Sequence, residues 1–306
     1  MLIKFFAYFL THSNAILSDA LESIINVVAG MFAYYSLYYA AKPKDVNHPY
    51  GHGKIEFISA GFEGGLIFIA GLLIIIKSIS NLIHPSQIDN LDTGIMISGA
   101  AGLINFFMGR YLISIGTKQN SIILKADGKH LQADTFTSIG LMAGVAIIYF
   151  TGYLWLDSVL AIVFAFMILI TGYGLLRKSL AGLMDETDEE VVQSIVEVLN
   201  ETRKPKWIDV HNLRVLQYGS SYHIDCHITM PWYENLSVTH DELKEIEKVF
   251  SKKFQGRVEV FIHPDPCVPE SCRLCQITTC EVRNSPFEKK VDWTLQNIQG
   301  NAKHII

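Results

Sequence analysis

Long apolar stretches alternate with short polar connections over the first 184 residues of this chain. Five of the stretches are long enough to cross about 30 Å of hydrocarbon at 1.5 Å per residue. They cover residues 14–41, 57–83, 93–117, 126–150 and 154–182. The segment 1–10 has the same character but only about half that reach. The pattern predicts a bundle of membrane-spanning helices that begins with a short stub.

After residue 184 the pattern becomes that of a small soluble domain. Alternation and helical periodicity predict a helix at 188–201, strands at 208–216, 221–230 and 258–263, and an amphipathic helix at 238–254. The order αββαβ favours a small sheet with both helices on one face. The segment 267–306 is first rich in Pro and Cys and then polar. We expect its last part to be loosely ordered.

Loop charges orient the predicted bundle. The connections at 11–14, 85–92 and 151–157 contain no Lys or Arg, whereas the alternate connections are rich in lysine. By the positive-inside rule, the lysine-bearing loops and the C-terminal half are cytoplasmic. The chain is therefore divided into a transmembrane domain, 1–184, a cytoplasmic domain, 185–266, and a Cys-rich tail, 267–306.

Composition agrees with a polytopic membrane protein, since half of the 306 residues are apolar and the mean hydropathy is +0.26. A net charge of −5 provides no basic face for a nucleic-acid partner. A membrane metalloprotease would carry His-Glu-x-x-His on a span, and the sequence has no such motif.

Two ionisable residues, His130 and Asp134, stand inside the predicted span 126–150, one helical turn apart. Such groups are costly in hydrocarbon and normally face a bundle interior or a water-filled path. Glu22 and Asn26 repeat the spacing on an earlier span. Two helices that each contribute two ligands can surround a divalent ion tetrahedrally. The pattern predicts a metal site, with a polar contact between helices as the alternative.

A second candidate site lies in the tail, where four cysteines recur at short spacings. They are Cys267, Cys272, Cys275 and Cys280. Four thiolates in a reducing compartment favour a closed, structural zinc site. A metal sensor or an iron–sulfur site is the competing interpretation. Cys226 is interpreted as an ordinary buried strand residue.

Separate motifs, in this order and at this spacing, give the chain a resemblance to the cation diffusion facilitator family, the divalent metal/proton antiporters. The motifs are Ser18-Asp19-Ala20-Leu21-Glu22-Ser23 with Asn26, Asn47-His48-Pro49-Tyr50-Gly51-His52-Gly53-Lys54-Ile55-Glu56, Asp127 through Asp134, Val210-His211-Asn212-Leu213-Arg214 and Ile262-His263-Pro264-Asp265-Pro266. The resemblance extends over nearly the whole length. It implies a six-span bundle whose first span is truncated at Met1 and a ferredoxin-like cytoplasmic domain that dimerises.

The resemblance also assigns residues to sites. The implied transport site is Glu22, Asn26, His130 and Asp134. The implied loop site is Asp45, His48 and His52, for which a solvated polar turn is the alternative. The implied cytoplasmic site is His211, His227, His240, His263 and Asp265. The implied interlock ion pair is Lys54 with Asp185, for which an exposed pair of little energetic weight is the alternative.

We therefore expect no enzyme but a secondary active transporter in the cell (inner) membrane. It would export zinc or a related ion, namely iron(II), manganese, cobalt or cadmium, in exchange for protons, by alternating access in a homodimer. Zinc is the first choice, but Asn26 stands where relatives carry a carboxylate, which shifts the balance toward harder ions such as manganese or iron(II). The alternative is a membrane-bound metal sensor without transport. Expected partners are the cation, the proton, a second copy of the chain and membrane lipid.

Overall fold

The structure, a computed structural model, describes residues 14–83, 91–151 and 155–305. The chain divides after Met184 into two compact units. The predicted stub at 1–10 lies outside the described residues.

Five long helices make up the described part of the first unit. They are α1 (Asn14–Ala40), α2 (Ile55–Ile83), α3 (Leu91–Gln119), α4 (Ile122–Thr151) and α5 (Trp155–Leu183). They match the five predicted stretches to within a few residues. Within the described residues, two segments are long and apolar enough to cross a membrane by length and composition, 55–83 and 165–183.

Close helix contacts in this unit depend on glycine. α2 packs most extensively on α5, and α3 on α4. A Cβ atom at Gly109 would come within 2.8 Å of the carbonyl oxygen of Gly128, so α3 and α4 approach backbone to backbone. A Cβ atom at Gly172 would likewise lie 3.0 Å from the carbonyl oxygen of Gly64. Small residues commonly allow such approaches between membrane helices. The Gly109–Gly128 contact lies next to the segment of α4 that carries His130.

The second unit has the predicted order αββαβ. Its elements are α6 (Glu189–Thr202), β1 (Asp209–Tyr218), β2 (Ser221–Met230), α7 (Leu236–Lys253) and β3 (Val258–Pro266), followed by a short 3-10 helix (Pro269–Arg273) and α8 (Leu295–Ile298). Both main helices begin with a capping side chain. The carboxylate of Asp188 accepts from the backbone of α6, and the amide oxygen of Asn235 accepts from the backbone of α7.

The three strands form a mixed sheet in the order β1-β2-β3. β1 and β2 are antiparallel, and β2 and β3 are parallel. In this register His211 is directly opposite His227, and His227 is directly opposite His263. Asn212 adopts a left-handed conformation, φ 52°, at an irregularity of β1. The register thus places three histidines in a row across the sheet.

The opposite face of the sheet contacts the helices and forms the core of the unit. Ile224, Cys226 and Ile228 of β2 alternate into this core, which also contains Trp207 and Phe250. Alternation therefore separates an apolar face from a face that carries histidine, as the period of two in a strand requires.

The expectation of a loosely ordered tail is wrong for the described residues. Trp293 and Ile298 are buried in the core of the second unit. The Asn200 side chain donates to the Trp293 carbonyl oxygen at 2.8 Å. The Asn212 backbone N–H donates to the carbonyl oxygen of Gly300 at 2.7 Å. Two apolar side chains and a few hydrogen bonds are sufficient to hold a segment that is otherwise polar.

Candidate metal sites

The intramembrane pair lies on α4 and is almost fully enclosed. The Nε2 atom of His130 is 3.9 Å from the Oδ2 atom of Asp134, and the two side chains are 8% and 12% exposed. Helical spacing places them on one face, as the sequence predicted. The backbone of Glu22 and Asn26 belongs to α1, but their side chains lie outside the described part of the structure. Whether all four ligands meet stays a prediction.

A further carboxyl group, missed at the sequence level, faces this pair from α2. Glu63 is 2% exposed and interacts with Asp127 and, at longer range, with Asp134. Asp127 in turn interacts with His130. Carboxyl groups that lie close together in a medium of low dielectric constant either hold protons or face a cation, so such a cluster suits a place where protons and cations exchange. The available signal was an acidic residue inside an apolar span, two turns after Glu56.

The loop between α1 and α2 brings its three predicted ligands together. The carboxylate of Asp45 lies 3.0 Å from Nδ1 of His48 and 3.3 Å from Nε2 of His52. One donor atom from each residue lies within 4.8 Å of the others. Backbone N–H groups of Asn47 and His48 donate to Asp45 at 2.9 and 2.7 Å. Desolvation opposes ionisation, but the hydrogen bonds from His48 outweigh it and lower the pKa of Asp45. The loop is therefore already shaped as a set of three N/O donors.

The sheet carries a second compact group of donors, His211, His227 and Asp265. One donor atom from each lies within 4.8 Å of the others. The carboxylate of Asp265 is 3.2 Å from Nε2 of His211 and 3.2 Å from Nδ1 of His227. Two imidazoles and a carboxylate with a fourth position open suit a zinc-sized dication. These three residues are named below the sheet site.

Two other predicted ligands differ in their placement. His263 stands beside the sheet site, with its ring 4.7 Å from that of His227 and its Nε2 atom 3.6 Å from Asp265. His240 lies exposed on α7 and does not belong to either compact donor group among the described residues. Its assignment as a ligand stays a prediction, which the geometry of the single chain does not support.

Asp209 and His304 lie behind His211 of the sheet site, and the sequence analysis did not identify them. Asp209 is 3.3 Å from Nδ1 of His211, the ring atom opposite the one that faces Asp265. The backbone N–H of His304 donates to Asp209 at 3.0 Å, and its ring lies 2.5 Å away. Burial opposes ionisation of Asp209, but the contacts with His211 and His304 outweigh burial and lower its pKa. A carboxylate behind a ligating histidine fixes its orientation and raises its basicity.

The four tail cysteines line one cavity of about 130 Å³, together with Trp232 and Tyr233. Burial raises the pKa of Cys226 to about 12, so this residue of β2 behaves as a neutral core side chain.

The two residues of the predicted interlock pair, Lys54 and Asp185, belong to different units of the chain. Asp185 has a left-handed backbone, φ 58°, and its ion pair with Lys54 stays a prediction.

Comparison with known proteins identifies the transmembrane unit and the sheet domain. The profile of the cation efflux transmembrane domain matches residues 1–184, and that of the cation efflux protein cytoplasmic domain matches residues 187–267. This chain belongs to the cation diffusion facilitator family. Membership makes it a cation efflux transporter, a membrane protein with a cytoplasmic domain.

Relatives in the family are similar over most of their length. An uncharacterized transporter of Synechocystis, sll1263, is 35% identical over 263 residues, which are 86% of this chain and 85% of the relative. The cation-efflux pump FieF of Shewanella oneidensis is 26% identical and covers 86% of this chain and 88% of its own length. FieF of Salmonella typhi is also 26% identical, over 90% of this chain and 92% of its own length.

Proposed function

We propose that this cation diffusion facilitator exports a divalent metal ion from the cytoplasm in exchange for protons. The observation that carries the proposal is the enclosed pair of His130 and Asp134 on α4 of a cation efflux transmembrane unit. A protein that moves ions through the bundle needs ionisable ligands inside the membrane, whereas a protein that only senses metal ions does not.

Exchange follows from the chemistry of the ligands. A nitrogen of His130 can hold either a proton or a metal ion, so each displaces the other. Glu22 and Asp134 supply two negative charges, which match a dication, and Asn26 adds a neutral oxygen. Metal enters from the cytoplasm when the bundle is open inward, and external protons displace it when the bundle is open outward. The inward proton gradient then drives export by alternating access.

The ion that moves is zinc or a related divalent ion. His130 suits zinc, iron(II) and cobalt, whereas the oxygen ligands Glu22, Asn26 and Asp134 favour harder ions such as manganese. We propose zinc first, with iron(II) and manganese as the closest competitors. Asn26 is the residue on which this preference depends, because an amide has neither the charge nor the exchangeable proton of a carboxylate.

The proposed assembly is a homodimer of six-span bundles in the inner membrane, with ferredoxin-like cytoplasmic domains. The loop group of Asp45, His48 and His52 binds an ion at the membrane surface. The sheet site binds a second ion in the cytoplasm, assisted by His263. The Lys54–Asp185 pair ties the two transmembrane halves or subunits, and metal bound in the cytoplasmic domain tightens the dimer.

Flux through proteoliposomes tests the proposal. The purified chain is reconstituted with a metal-sensitive dye inside, and zinc uptake is followed with and without an imposed pH gradient. His130→Ala should reduce the gradient-driven flux to that of empty liposomes. Asp241→Asn is the matched control, since Asp241 is exposed on α7 and belongs to none of the predicted metal sites, and its flux should equal that of the wild type. Undiminished flux in His130→Ala would overturn the assignment, and flux that ignores the pH gradient would indicate a channel.

A metal sensor without transport is the second candidate, because the sheet site alone would serve it. Its three donors need no span to bind an ion. The same liposomes distinguish the two functions. A sensor binds zinc at the sheet site but carries no flux in the wild type under any gradient.

A further inference from the structure

The four tail cysteines converge on a single cavity. Cys267 follows directly after β3, Cys272 belongs to the 3-10 helix, and Cys275 and Cys280 lie in the turns beyond it. All four line the same cavity of about 130 Å³. The family profile for the cytoplasmic domain ends at residue 267, so three of the four lie beyond it.

The backbone around this cavity is held by one side chain. The guanidinium of Arg283 donates to the carbonyl oxygens of Cys272 at 2.8 Å, Cys275 at 2.9 Å and Ile277 at 2.6 Å. The Arg283 guanidinium thus holds three backbone carbonyl groups of this loop and places its positive charge close to the thiols. A bidentate or tridentate arginine of this kind is geometrically demanding. It orders loops that have neither helix nor strand of their own.

Further donors point at the sulfur atoms. The backbone N–H of Asn284 faces Sγ of Cys272 at 3.5 Å. The Tyr233 hydroxyl interacts with Cys280. Groups that donate to sulfur stabilise thiolates when a metal is bound, as the surroundings of ligating residues generally do. Cys226, by contrast, is part of the hydrophobic core of the domain.

We propose that Cys267, Cys272, Cys275 and Cys280 bind one structural zinc ion in a tetrahedral site, independent of the ions that the protein transports. Four thiolates and Zn²⁺ carry a net charge of −2, which the guanidinium of Arg283 partly offsets. Zinc binding releases the thiol protons to solvent. The site closes the end of β3, next to Asp265 of the sheet site.

The four sulfurs surround the cavity without being in contact. Among the described residues, only the loop group and the sheet site have all donor atoms within 4.8 Å. Zinc–sulfur bonds of about 2.3 Å require sulfur–sulfur distances of about 3.8 Å. Binding therefore draws the cysteine-bearing loop inward. Cys275 belongs to an apolar cluster with Ile208 and Leu274, and Cys267 packs against that cluster, so two of the four proposed ligands are already held by packing.

Zinc fits these ligands better than the two alternatives. All five cysteines are free, and a cytoplasmic domain lies in a reducing compartment, so disulfides are disfavoured. An iron–sulfur cluster uses the same four thiolates but is larger than a single ion. A single tetrahedral dication needs only the contraction described above.

The test uses the full chain, purified in detergent and washed with EDTA, with metals counted by mass spectrometry. We expect about one zinc ion per chain to resist the wash, because a closed thiolate site exchanges slowly. The double variant Cys272→Ser/Cys275→Ser should lose this ion, and Cys226→Ala should keep it. His130→Ala should also keep it, which separates this site from the transport site.

Two further measurements keep the test decisive if the double variant fails to fold. Wild-type protein produced with cobalt should show thiolate-to-cobalt charge-transfer bands, which histidine and carboxylate ligands cannot produce. Stepwise mercurial titration of wild-type thiols should release zinc to a coloured chelator. Wild-type protein that retains no zinc, contains iron with sulfide, or carries disulfides among these cysteines would overturn the proposal.

Discussion

The bundle and the sheet each present imidazole beside carboxylate, yet they assemble the pair in different ways. In the bundle, His130 and Asp134 lie one turn apart on α4 and need other helices to complete a site. On the sheet, His211 and His227 face each other across paired strands, and Asp265 contacts both. One group depends on how separate helices pack, whereas strand register places the donors of the other.

This difference indicates which of the two groups, the bundle pair or the sheet site, can bind and release an ion during transport. Ligands shared between helices separate when the helices move, so affinity can change during a transport cycle. Ligands on hydrogen-bonded strands keep their distances, and Asp209 with His304 holds His211 from behind. We therefore expect the bundle to exchange its ion and the sheet to retain one. The predictions that follow test this division of roles, beginning with the largest effect.

The largest effect is expected for Asp134→Asn. The amide keeps the shape of the side chain but removes a negative charge that faces a dication in a low-dielectric interior. Gradient-driven flux should fall by about 100-fold or more, since even residues behind metal ligands commonly contribute 10- to 100-fold. Zinc affinity of the sheet site should not change. Proteoliposome flux and zinc titration of the same preparation measure both quantities.

Asp241→Asn is the matched control, because Asp241 is exposed on α7. It should leave flux and affinity at wild-type values. If Asp134→Asn transports normally, the bundle pair is a structural contact and the division of roles fails.

The converse effect is expected for His227→Ala. His227 provides one of the three donors of the sheet site, so zinc affinity there should fall by about 10- to 100-fold. Flux at saturating zinc should be retained, because the transport ligands are intact. Asp241→Asn again serves as the control and should change neither quantity. Loss of all transport in His227→Ala would show that the sheet site is an obligatory step of the cycle.

A smaller effect is expected for Asp209→Asn. The carboxylate orients His211 without being one of the three grouped donors, so its loss should weaken zinc at the sheet site by about tenfold. Competition with a metal-sensitive dye measures this change. An affinity equal to that of the wild type would mean that strand register alone orients His211.

Asp209 should also make the stability of the metal-free wild-type protein depend on pH. The pKa of Asp209 is lowered from 3.8 on folding, so its stabilisation is fully present above 3.8 and is lost as the pH falls toward its native value. Hydrogen bonds to a charged group contribute about 1 to 3 kcal/mol. Relative to the intrinsic exchange rate at each pH, the protection of β1 amides should therefore decrease below about pH 4 in the wild type. In Asp209→Asn this protection should already be lower at neutral pH and less dependent on acid.

Sequence patterns predicted the elements better than the surroundings of the sites. Hydropathy located the five long helices, and alternation located three strands, because burial on one face sets the period of apolar residues. The i, i+4 spacing of His130 and Asp134 and the loop ligands Asp45, His48 and His52 are local in sequence. Local spacing transfers directly to geometry, so the structure brings these residues together as predicted.

Contacts between distant segments could not be predicted in this way. His304 meets Asp209 across 95 residues of sequence. Trp293 and Ile298 stand in a polar tail, and no periodicity marks them as core residues. His240 follows the family pattern in sequence but lies on an exposed face of α7. In each case the position of the side chain depends on how one segment packs against another. The spacing of residues within a single segment does not determine that packing.

Glu63 provides the smallest and sharpest test of the comparison. It is buried on α2 and interacts with Asp127 and Asp134. If the bundle exchanges its ion, this carboxyl group acts on the site through Asp127 and Asp134 without binding the metal directly. Glu63→Gln should then keep the maximal flux and raise the zinc concentration for half-maximal flux by about fivefold, which corresponds to about 1 kcal/mol of lost interaction.

Glu56→Gln is the matched control for this effect. Glu56 lies two turns earlier on α2, is also buried, and accepts a hydrogen bond from the Ser121 hydroxyl at 2.9 Å. Because its contacts are with Ser121 and the first turn of α4, about two turns before His130, its substitution should lower stability and leave the half-maximal concentration unchanged. If Glu63→Gln abolishes flux as completely as Asp134→Asn, Glu63 is itself a ligand. The bundle site would then include α2, and its helices would have to separate at three places to release the ion.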